Sequence, residues 1–214
     1  MGGVANACSG LSWQPTLSFD AERAASAFDS SFRGACRIAL DEHAWVEHVP
    51  AWVTDAAALF EAVLSHAPWG HRTRRMYDRM VEEPRLTAWH GNGLDDPTLP
   101  RVVRPMARAL GDRFGRAFDA AGAALYRDGA DSVAWHSDRI DPSLVEPVIA
   151  IVSLGSARTL RMRSKARRGA TRAFVLVPSD LFAMGGATNA TWQHSVPKVS
   201  HAGARVSLQF RHST

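Results

Sequence analysis

The stretch YRDGADSVAWHSDR, residues 126–139, ends a strand-like run with a histidine, one intervening residue and an aspartate. Successive side chains of a strand point to opposite faces, so His136 and Asp138 project to the same face with Cα atoms about 7 Å apart. A polar pair on a strand face is explained if both side chains hold one metal ion. A third ligand is available in His194, in the run WQHSVP farther along the chain.

Eight short runs of β-branched or alternating residues follow one another from about residue 123 to the end. Gly, Pro, Asp and Ser separate them, and no helix-length segment lies between them, which disfavours a parallel α/β fold. We therefore predict an α+β fold, a double-stranded β-helix (jelly roll) with N-terminal helices packed on the sheet. The runs are AALYR, SVAWHSD, VIAIVSLG, RTLRMRS, AFVLVP, LFAMGG, WQHSVP and ARVSLQFRH.

The part of the chain before these strands predicts two helices and an arm. TDAAALFEAVLSHAPW, capped at Thr54, carries an apolar stripe, and RPMARALGDRFGRAFDAAG (104–122) has an apolar residue at every fourth position. Residues 1–35 mix Gly, Ser and Ala with few bulky residues, and we expect a flexible N-terminal arm there. Residues 36–214 are then a single domain.

The composition also predicts a compartment. No continuous apolar segment approaches the roughly 18 residues of a membrane span, so we expect no membrane partner. Cys8 and Cys36 fit no metal or redox spacing, which favours a reducing, cytoplasmic setting. Nothing in the sequence predicts an obligate protein partner.

Charge is distributed unevenly along the chain. Residues 1–100 carry 8 Lys/Arg and 13 Asp/Glu, whereas residues 101–214 carry 17 Lys/Arg and 8 Asp/Glu. The basic C-terminal half indicates a polyanionic partner, and nucleic acid is the first candidate. Because 23 of the 25 basic residues are Arg, genome composition is an alternative explanation.

The last predicted strand, RVSLQFR (205–211), alternates between apolar and polar residues. Arg205 and Arg211 therefore share one polar face, about 20 Å apart at their Cα atoms, and their side chains can lean inward to leave a gap that suits a small dicarboxylate. Two histidines and one carboxylate with open positions form the facial triad of non-haem Fe(II) oxygenases. Each pattern alone is also common in proteins without such a site.

Together these parts resemble the AlkB family of Fe(II)/2-oxoglutarate dioxygenases, over a range from about residue 38 to the end. The order is H-x-D, a distal His, and R-x5-R within a basic jelly roll. Four further segments are similar to the animal and plant members of that family. They are PRLTAW (84–89), YRDGADSVAWHSD (126–138), SLGSARTLRMRSK (153–165) and GGATNATWQHSVPK (185–198).

The resemblance implies oxidative demethylation of N-alkylated bases in DNA or RNA, with Fe(II), 2-oxoglutarate and O2 consumed and succinate, CO2 and formaldehyde released. It implies that His136, Asp138 and His194 are the iron ligands and the catalytic centre. Arg205 would take the distal carboxylate of 2-oxoglutarate, and Arg211 would brace Asp138. The implied 2-oxoglutarate contacts are Tyr126, Arg205, Ser207 and Arg211.

The implied substrate contacts depart from the family pattern. Arg139 and Ile140 stand where the family is usually acidic, and His90 stands where a tyrosine is usual. We expect Trp89 or His90 to stack on a flipped base, with a core role as the alternative for Trp89. Arg139, Arg161 and Arg163 are expected to contact nucleic acid.

The co-substrate positions also differ. Ala124 and Ser207 replace two asparagines usual in the family, which predicts weaker 2-oxoglutarate binding. Two other functions therefore stay open. One is an Fe(II)/2-oxoglutarate hydroxylase acting on a small metabolite or a protein side chain, and the other is a non-catalytic nucleic-acid-binding relative.

Overall fold

The computed structural model describes residues 27–76, 78–89, 93–141, 143–166 and 171–212. The three helices are α1 Ala56–His66, α2 Val103–Phe114 and α3 Thr188–Thr191. The first six strands are β1 Cys36–Ala39, β2 Ala44–Val49, β3 Gly70–Met76, β4 Arg79–Ala88, β5 Ala120–Tyr126 and β6 Val133–His136. The other six are β7 Ile149–Gly155, β8 Arg158–Ser164, β9 Thr171–Leu176, β10 Leu181–Gly186, β11 Trp192–Val196 and β12 Arg205–Arg211.

Two antiparallel sheets form the architecture. The larger has eight strands in the order β1-β2-β10-β7-β12-β5-β4-β3, and the smaller has four in the order β6-β11-β8-β9. The predicted α+β jelly roll is confirmed, and the eight predicted runs correspond to β5 through β12. Strands β3 and β4 were not predicted, because GHRTRRM is polar and does not alternate.

The helices differ from prediction at their ends. Helix α1 is capped by Asp55, whose carboxylate accepts a hydrogen bond from the Ala58 amide at 3.0 Å, and not by Thr54. Helix α2 stops at Phe114, so its predicted extension to residue 122 is wrong. Gly115 adopts a left-handed conformation (φ 65°) that ends the helix, and the following alanine-rich segment is strand β5.

The larger sheet separates two hydrophobic cores. On one face the helices pack against Val206, Leu208 and Phe210 of β12. The opposite face meets the smaller sheet through residues such as Ile151 and Met162. Strand β12 therefore alternates as predicted, and its polar face is turned toward the space between the two sheets.

The predicted arm ends earlier than residue 35. Phe28 and Phe32 are buried and pack on the indole of Trp52, and Phe28 bridges to Val53. Residues 27–35 thus belong to the folded domain, which corrects the predicted boundary at residue 35. The packing of Phe28 and Phe32 anchors this Gly- and Ser-containing segment to the domain. Residues 1–26 lie outside the described residues. Within the described ranges, every helix is too short or too polar to cross a membrane.

Candidate active site

A pocket of about 390 Å3 opens between the two sheets. One wall comes from the polar face of β12 and from neighbouring residues of β4, β5 and β7, and the other from β6, β8 and β11. Arg205, Ser207, Gln209 and Arg211 all line it, as the alternation of RVSLQFR predicts. The polar face of β12 therefore forms one wall of the pocket.

His136, Asp138 and His194 meet in this pocket. The two histidines are direct partners in the pairing of β6 with β11, and their ring centroids lie 4.2 Å apart. One ligand atom from each residue of the triad lies within 4.8 Å of the others. The His194 Nε2 is 3.5 Å from an Asp138 carboxylate oxygen. Two imidazoles and a carboxylate at this spacing fit a single Fe(II) ion.

The protonation states also suit a metal. Burial lowers the pKa of His194 to about 4, so this imidazole is neutral near pH 7. His136 pairs through Nδ1 with the Ala134 carbonyl at 2.9 Å, and since a carbonyl only accepts, Nδ1 carries the proton. Its Nε2 then has the free lone pair that a metal requires.

Asp138 is held on both sides. Its backbone N–H donates to the Asn189 Oδ1 at 2.9 Å, and the Asn189 Nδ2 donates to its carbonyl at 3.0 Å. The Arg211 Nη2 donates to the Asp138 Oδ1 at 2.6 Å. Burial alone would raise the pKa of Asp138, but the charge of Arg211 and the two histidines lower it. Asp138 is thus a carboxylate whose other oxygen is left for the metal.

Arg205 lines the pocket and is 2% exposed. Its Nε donates to the Ser153 Oγ at 3.2 Å, and its guanidinium lies over the Tyr126 ring. Among the described residues no carboxylate pairs with it. A buried guanidinium without a counter-ion is costly, so this environment fits an anion such as the distal carboxylate of 2-oxoglutarate.

Comparison with known proteins agrees with this geometry. The model of the 2OG-Fe(II) oxygenase superfamily matches residues 46–211. This chain belongs to that superfamily. Fe(II) and 2-oxoglutarate are therefore its cofactors, as predicted, and the triad is the candidate site for the metal.

The resemblance of this 2OG-Fe(II) oxygenase to the AlkB family is also confirmed. It is 36% identical to the human "Alpha-ketoglutarate-dependent dioxygenase alkB homolog 3" over 74% of this chain and 62% of that protein. It is 28% identical to the Arabidopsis thaliana "DNA oxidative demethylase ALKBH2" over 71% of this chain and 60% of that protein. The chain spans about three-fifths of the length of these curated relatives.

A solved structure supports the fold. It is a 2OG-Fe(II) oxygenase family oxidoreductase from Burkholderia pseudomallei, with a TM-score of 0.55 and 16% identity. The match covers 78% of this chain and 84% of that one.

Two arginines that contact Tyr126 of this oxygenase were missed in the sequence. Arg85 of β4 lines the pocket and donates from Nη1 to the Tyr126 hydroxyl at 3.3 Å. Arg158 is buried, stacks over the Tyr126 ring, and donates to the carbonyls of Asp128, Asp131 and Pro197. The signal for Arg158 was its place in RTLRMR, on the same face as the apolar Leu160 and Met162. The signal for Arg85 was its place in PRLTAW, one of the segments similar to the AlkB family, but β4 was not recognised as a strand.

The predicted substrate residues separate into groups. Arg139 is exposed and lines the pocket. Arg161 and Arg163 are exposed on the outer face of the smaller sheet, and neither is among the residues lining the pocket. Trp89 is 2% exposed in the core beside the helices and donates to Thr98 Oγ1 at 2.6 Å, which corrects its predicted contact with a base. His90 lies outside the described residues.

Proposed function

We propose that this chain catalyses oxidative demethylation of N-alkylated bases in DNA or RNA, with release of succinate, CO2 and formaldehyde. The observation that carries the proposal is the convergence of the His136–Asp138–His194 triad with Arg205 and Arg211 in one pocket. A base that leaves its stack needs such an enclosed cavity. The name of the Arabidopsis relative, a DNA oxidative demethylase, supports this class of substrate.

In this proposal the triad holds the iron, and 2-oxoglutarate lies along the polar face of β12. Arg205 pairs with its distal carboxylate, next to the Tyr126 ring. Arg211 lies near its other end and keeps Asp138 ionised and oriented. When bound, the iron and the keto acid supply the oxidising chemistry that hydroxylates an N-methyl group. The resulting hemiaminal loses formaldehyde without help from a general base.

Small side chains line the pocket wall between Arg205 and Arg211 of β12. Ser207 of β12 is paired with Ala124 of β5 and with Ser153 of β7, and Thr87 pairs with Ala124 from the other side. Of the two positions where the family usually offers amides, Ser207 has a hydroxyl group and Ala124 has no polar group, while the Thr87 hydroxyl lies beside Ala124 in the pocket lining. The two hydroxyl groups can donate to a carboxylate, but with less reach than an amide, which agrees with the weaker 2-oxoglutarate binding predicted from the sequence.

Nucleic acid would approach past Arg139, with its phosphates near Arg161 and Arg163. Arg163 is the better prepared of these two. Its Nε and Nη2 donate to the Gln193 Oε1 at 3.0 and 2.8 Å, and its guanidinium lies over the Trp135 ring. A guanidinium held in this way loses less side-chain entropy when it pairs with a phosphate. Binding carried by such contacts weakens steeply with salt.

A test loads the protein with Fe(II) and 2-oxoglutarate without oxygen, then adds oxygen and a single-stranded oligonucleotide that contains 1-methyladenine or 3-methylcytosine. Succinate and formaldehyde are measured together. Equal yields of both support the proposal. The same oligonucleotide without the methyl group is the control, and it should yield no formaldehyde.

The other two functions predict different yields. Succinate without formaldehyde would indicate a hydroxylase with a different substrate, a candidate favoured by the exposed Arg139 at a pocket wall where the family is usually acidic. Neither product, despite bound iron, would indicate a binding protein without catalysis.

A further inference from the structure

The charges that line the pocket are strongly unbalanced. Among the described lining residues five are arginines and two are carboxylates. The arginines are Arg72, Arg85, Arg139, Arg205 and Arg211. One carboxylate, Asp138, already belongs to the triad and to Arg211. Glu83 is therefore the only lining carboxylate, among the residues that the structure describes, outside the proposed metal site.

Glu83 is fixed in the pocket wall by its neighbours on β4. Its side chain is 17% exposed, and its Oε2 accepts a hydrogen bond from the Arg85 Nη2 at 3.2 Å. The two residues are two apart on a strand, so they share the face that lines the pocket. Between them, the Pro84 carbonyl accepts a hydrogen bond from the Ser132 amide at 2.9 Å, which ties this part of β4 to the segment before β6.

One oxygen of Glu83 has no hydrogen-bond partner. Arg85 contacts only Oε2, and within the described part of the chain nothing donates to Oε1. Arg85 also reaches the Tyr126 hydroxyl, so its position does not depend on Glu83 alone. The carboxylate therefore has acceptor capacity left for a ligand that enters the pocket.

We propose that Glu83 is the residue by which this pocket selects cationic methylated bases over neutral ones. This inference rests on the proposed function and deepens it. 1-Methyladenine and 3-methylcytosine carry a positive charge at neutral pH, whereas 3-methylthymine and 1-methylguanine do not. The lining guanidinium groups outnumber the lining carboxylates and so disfavour a cationic base, and Glu83 supplies a partly buried negative charge, with a free oxygen, that offsets this repulsion.

The neighbouring glutamate offers a matched control. Glu82 is adjacent in sequence, but its side chain is 56% exposed and pairs with His71, and it is not among the pocket-lining residues. Glu82→Gln removes the same charge from the same strand, outside the pocket. Glu83→Gln is nearly isosteric, and its amide oxygen can still accept the hydrogen bond from Arg85. The Tm of both variants should therefore be close to that of the wild type.

The experiment compares oligonucleotides of one sequence that carry either 3-methylcytosine or 3-methylthymine. Formaldehyde release gives kcat/KM for each, and anaerobic titration with Fe(II) and 2-oxoglutarate gives each Kd. We expect Glu83→Gln to lower the cationic-to-neutral ratio of kcat/KM, and to raise the cationic-to-neutral ratio of Kd, by about tenfold or more, the scale of a hydrogen bond to a charged group. Glu82→Gln should leave both ratios as in the wild type.

The outcomes separate this inference from the proposed function. If the wild type releases no formaldehyde but its affinity ratio still depends on Glu83, the proposed demethylation is wrong and the role of Glu83 stands. If the wild type demethylates and Glu83→Gln affects both bases equally, Glu83 only supports Arg85 and the inference is overturned. An unchanged ratio in Glu83→Gln also overturns it.

Discussion

The two faces of the four-stranded sheet carry different chemistry one residue apart. On β11, His194 points inward opposite Met162, whereas Gln193 points outward opposite Arg163. The inner histidine is buried and its pKa is lowered to about 4 by burial, while the outer arginine is exposed and hydrogen-bonded to its neighbour on the sheet. Strand alternation therefore lets the paired strands β8 and β11 place a buried, neutral imidazole on the inner face and an exposed guanidinium on the outer face.

This difference determines how each face should respond to substitution. Inner side chains meet in one pocket, where they lie close to one another and are partly or fully buried, so the loss of one affects its neighbours. Outer side chains contact solvent, and any contribution to binding is spread over several charges and screened by salt. We therefore expect inner substitutions to change catalysis or ligand binding by about tenfold or more and outer ones to change nucleic-acid affinity only a few-fold.

The largest expected effect is that of His136→Ala. Loss of one of three ligands should reduce succinate formation to background, because two ligands do not hold Fe(II) in the required geometry. Thermal unfolding of the metal-free variant should match that of the wild type, since His136 is only partly buried. His43→Ala, at an exposed histidine outside the pocket, is the control and should keep full activity. Activity in His136→Ala would exclude the assigned triad.

Arg205→Gln tests the buried cation in the same pocket. Removal of the buried charge that faces the co-substrate should raise the KM for 2-oxoglutarate about a hundredfold, the scale for one partner of a buried charge pair. Iron binding without 2-oxoglutarate should be retained, because Arg205 does not contact the triad. Arg205→Lys should lie between the two, since Lys keeps the charge but not the planar fork. A KM unchanged in Arg205→Gln would mean that the carboxylate binds elsewhere.

Much of the inner face could be predicted from the sequence, because it depends on spacing within single strands. R-x5-R places its side chains on one face of β12, and eight strands were recognisable from alternation and turn residues. His136 is the last residue of β6, so Asp138 lies beyond the strand, and its backbone is held by Asn189 rather than by strand alternation. The third ligand, His194, required only that a second strand lie beside the first. The pairing of the strands brought the residues of these local patterns into one pocket.

The rest depended on tertiary contacts. Arg85 and Glu83 reach the pocket because β4 lies beside β5, and the polar sequence of β3 and β4 gave no sign of this strand pair. Trp89 looked like a base-stacking residue, but the left-handed backbone at this residue (φ 58°) follows the end of β4, and its side chain lies in the core beside the helices. Local spacing does not predict on which side of a sheet a residue lies when it follows the end of a strand.

The pH dependence of stability tests whether the buried His194 imidazole is neutral in the folded protein. Burial lowers the pKa of His194 to about 4 from a usual value of 6.5. Between these values the unfolded chain binds a proton that the folded chain does not, so stability falls as the pH falls from 6.5 toward 4. For the metal-free protein we expect the free energy of unfolding to drop by about 2 kcal/mol between pH 7 and pH 5. Urea unfolding in EDTA measures it.

A variant isolates the contribution of His194 to this slope. His194→Gln removes the titrating group, so the free energy of unfolding should change less between the same two pH values than in the wild type. An equally steep loss in His194→Gln would assign the pH dependence to other groups. The pKa of His136 is also lowered, first by burial, so part of the slope should remain.

The smallest effect is expected on the outer face. Arg163→Gln should weaken binding of a single-stranded oligonucleotide a few-fold and reduce the slope of log K against log salt by about 1, because one phosphate contact is lost. Arg161→Gln removes the same charge two residues away, but Arg161 lacks the support of Trp135 and Gln193, so its effect should be smaller. Arg104→Gln, on helix α2, is the control. If all three variants weaken binding equally, the protein responds to net charge alone, and the outer face of the smaller sheet has no specific part in holding the strand.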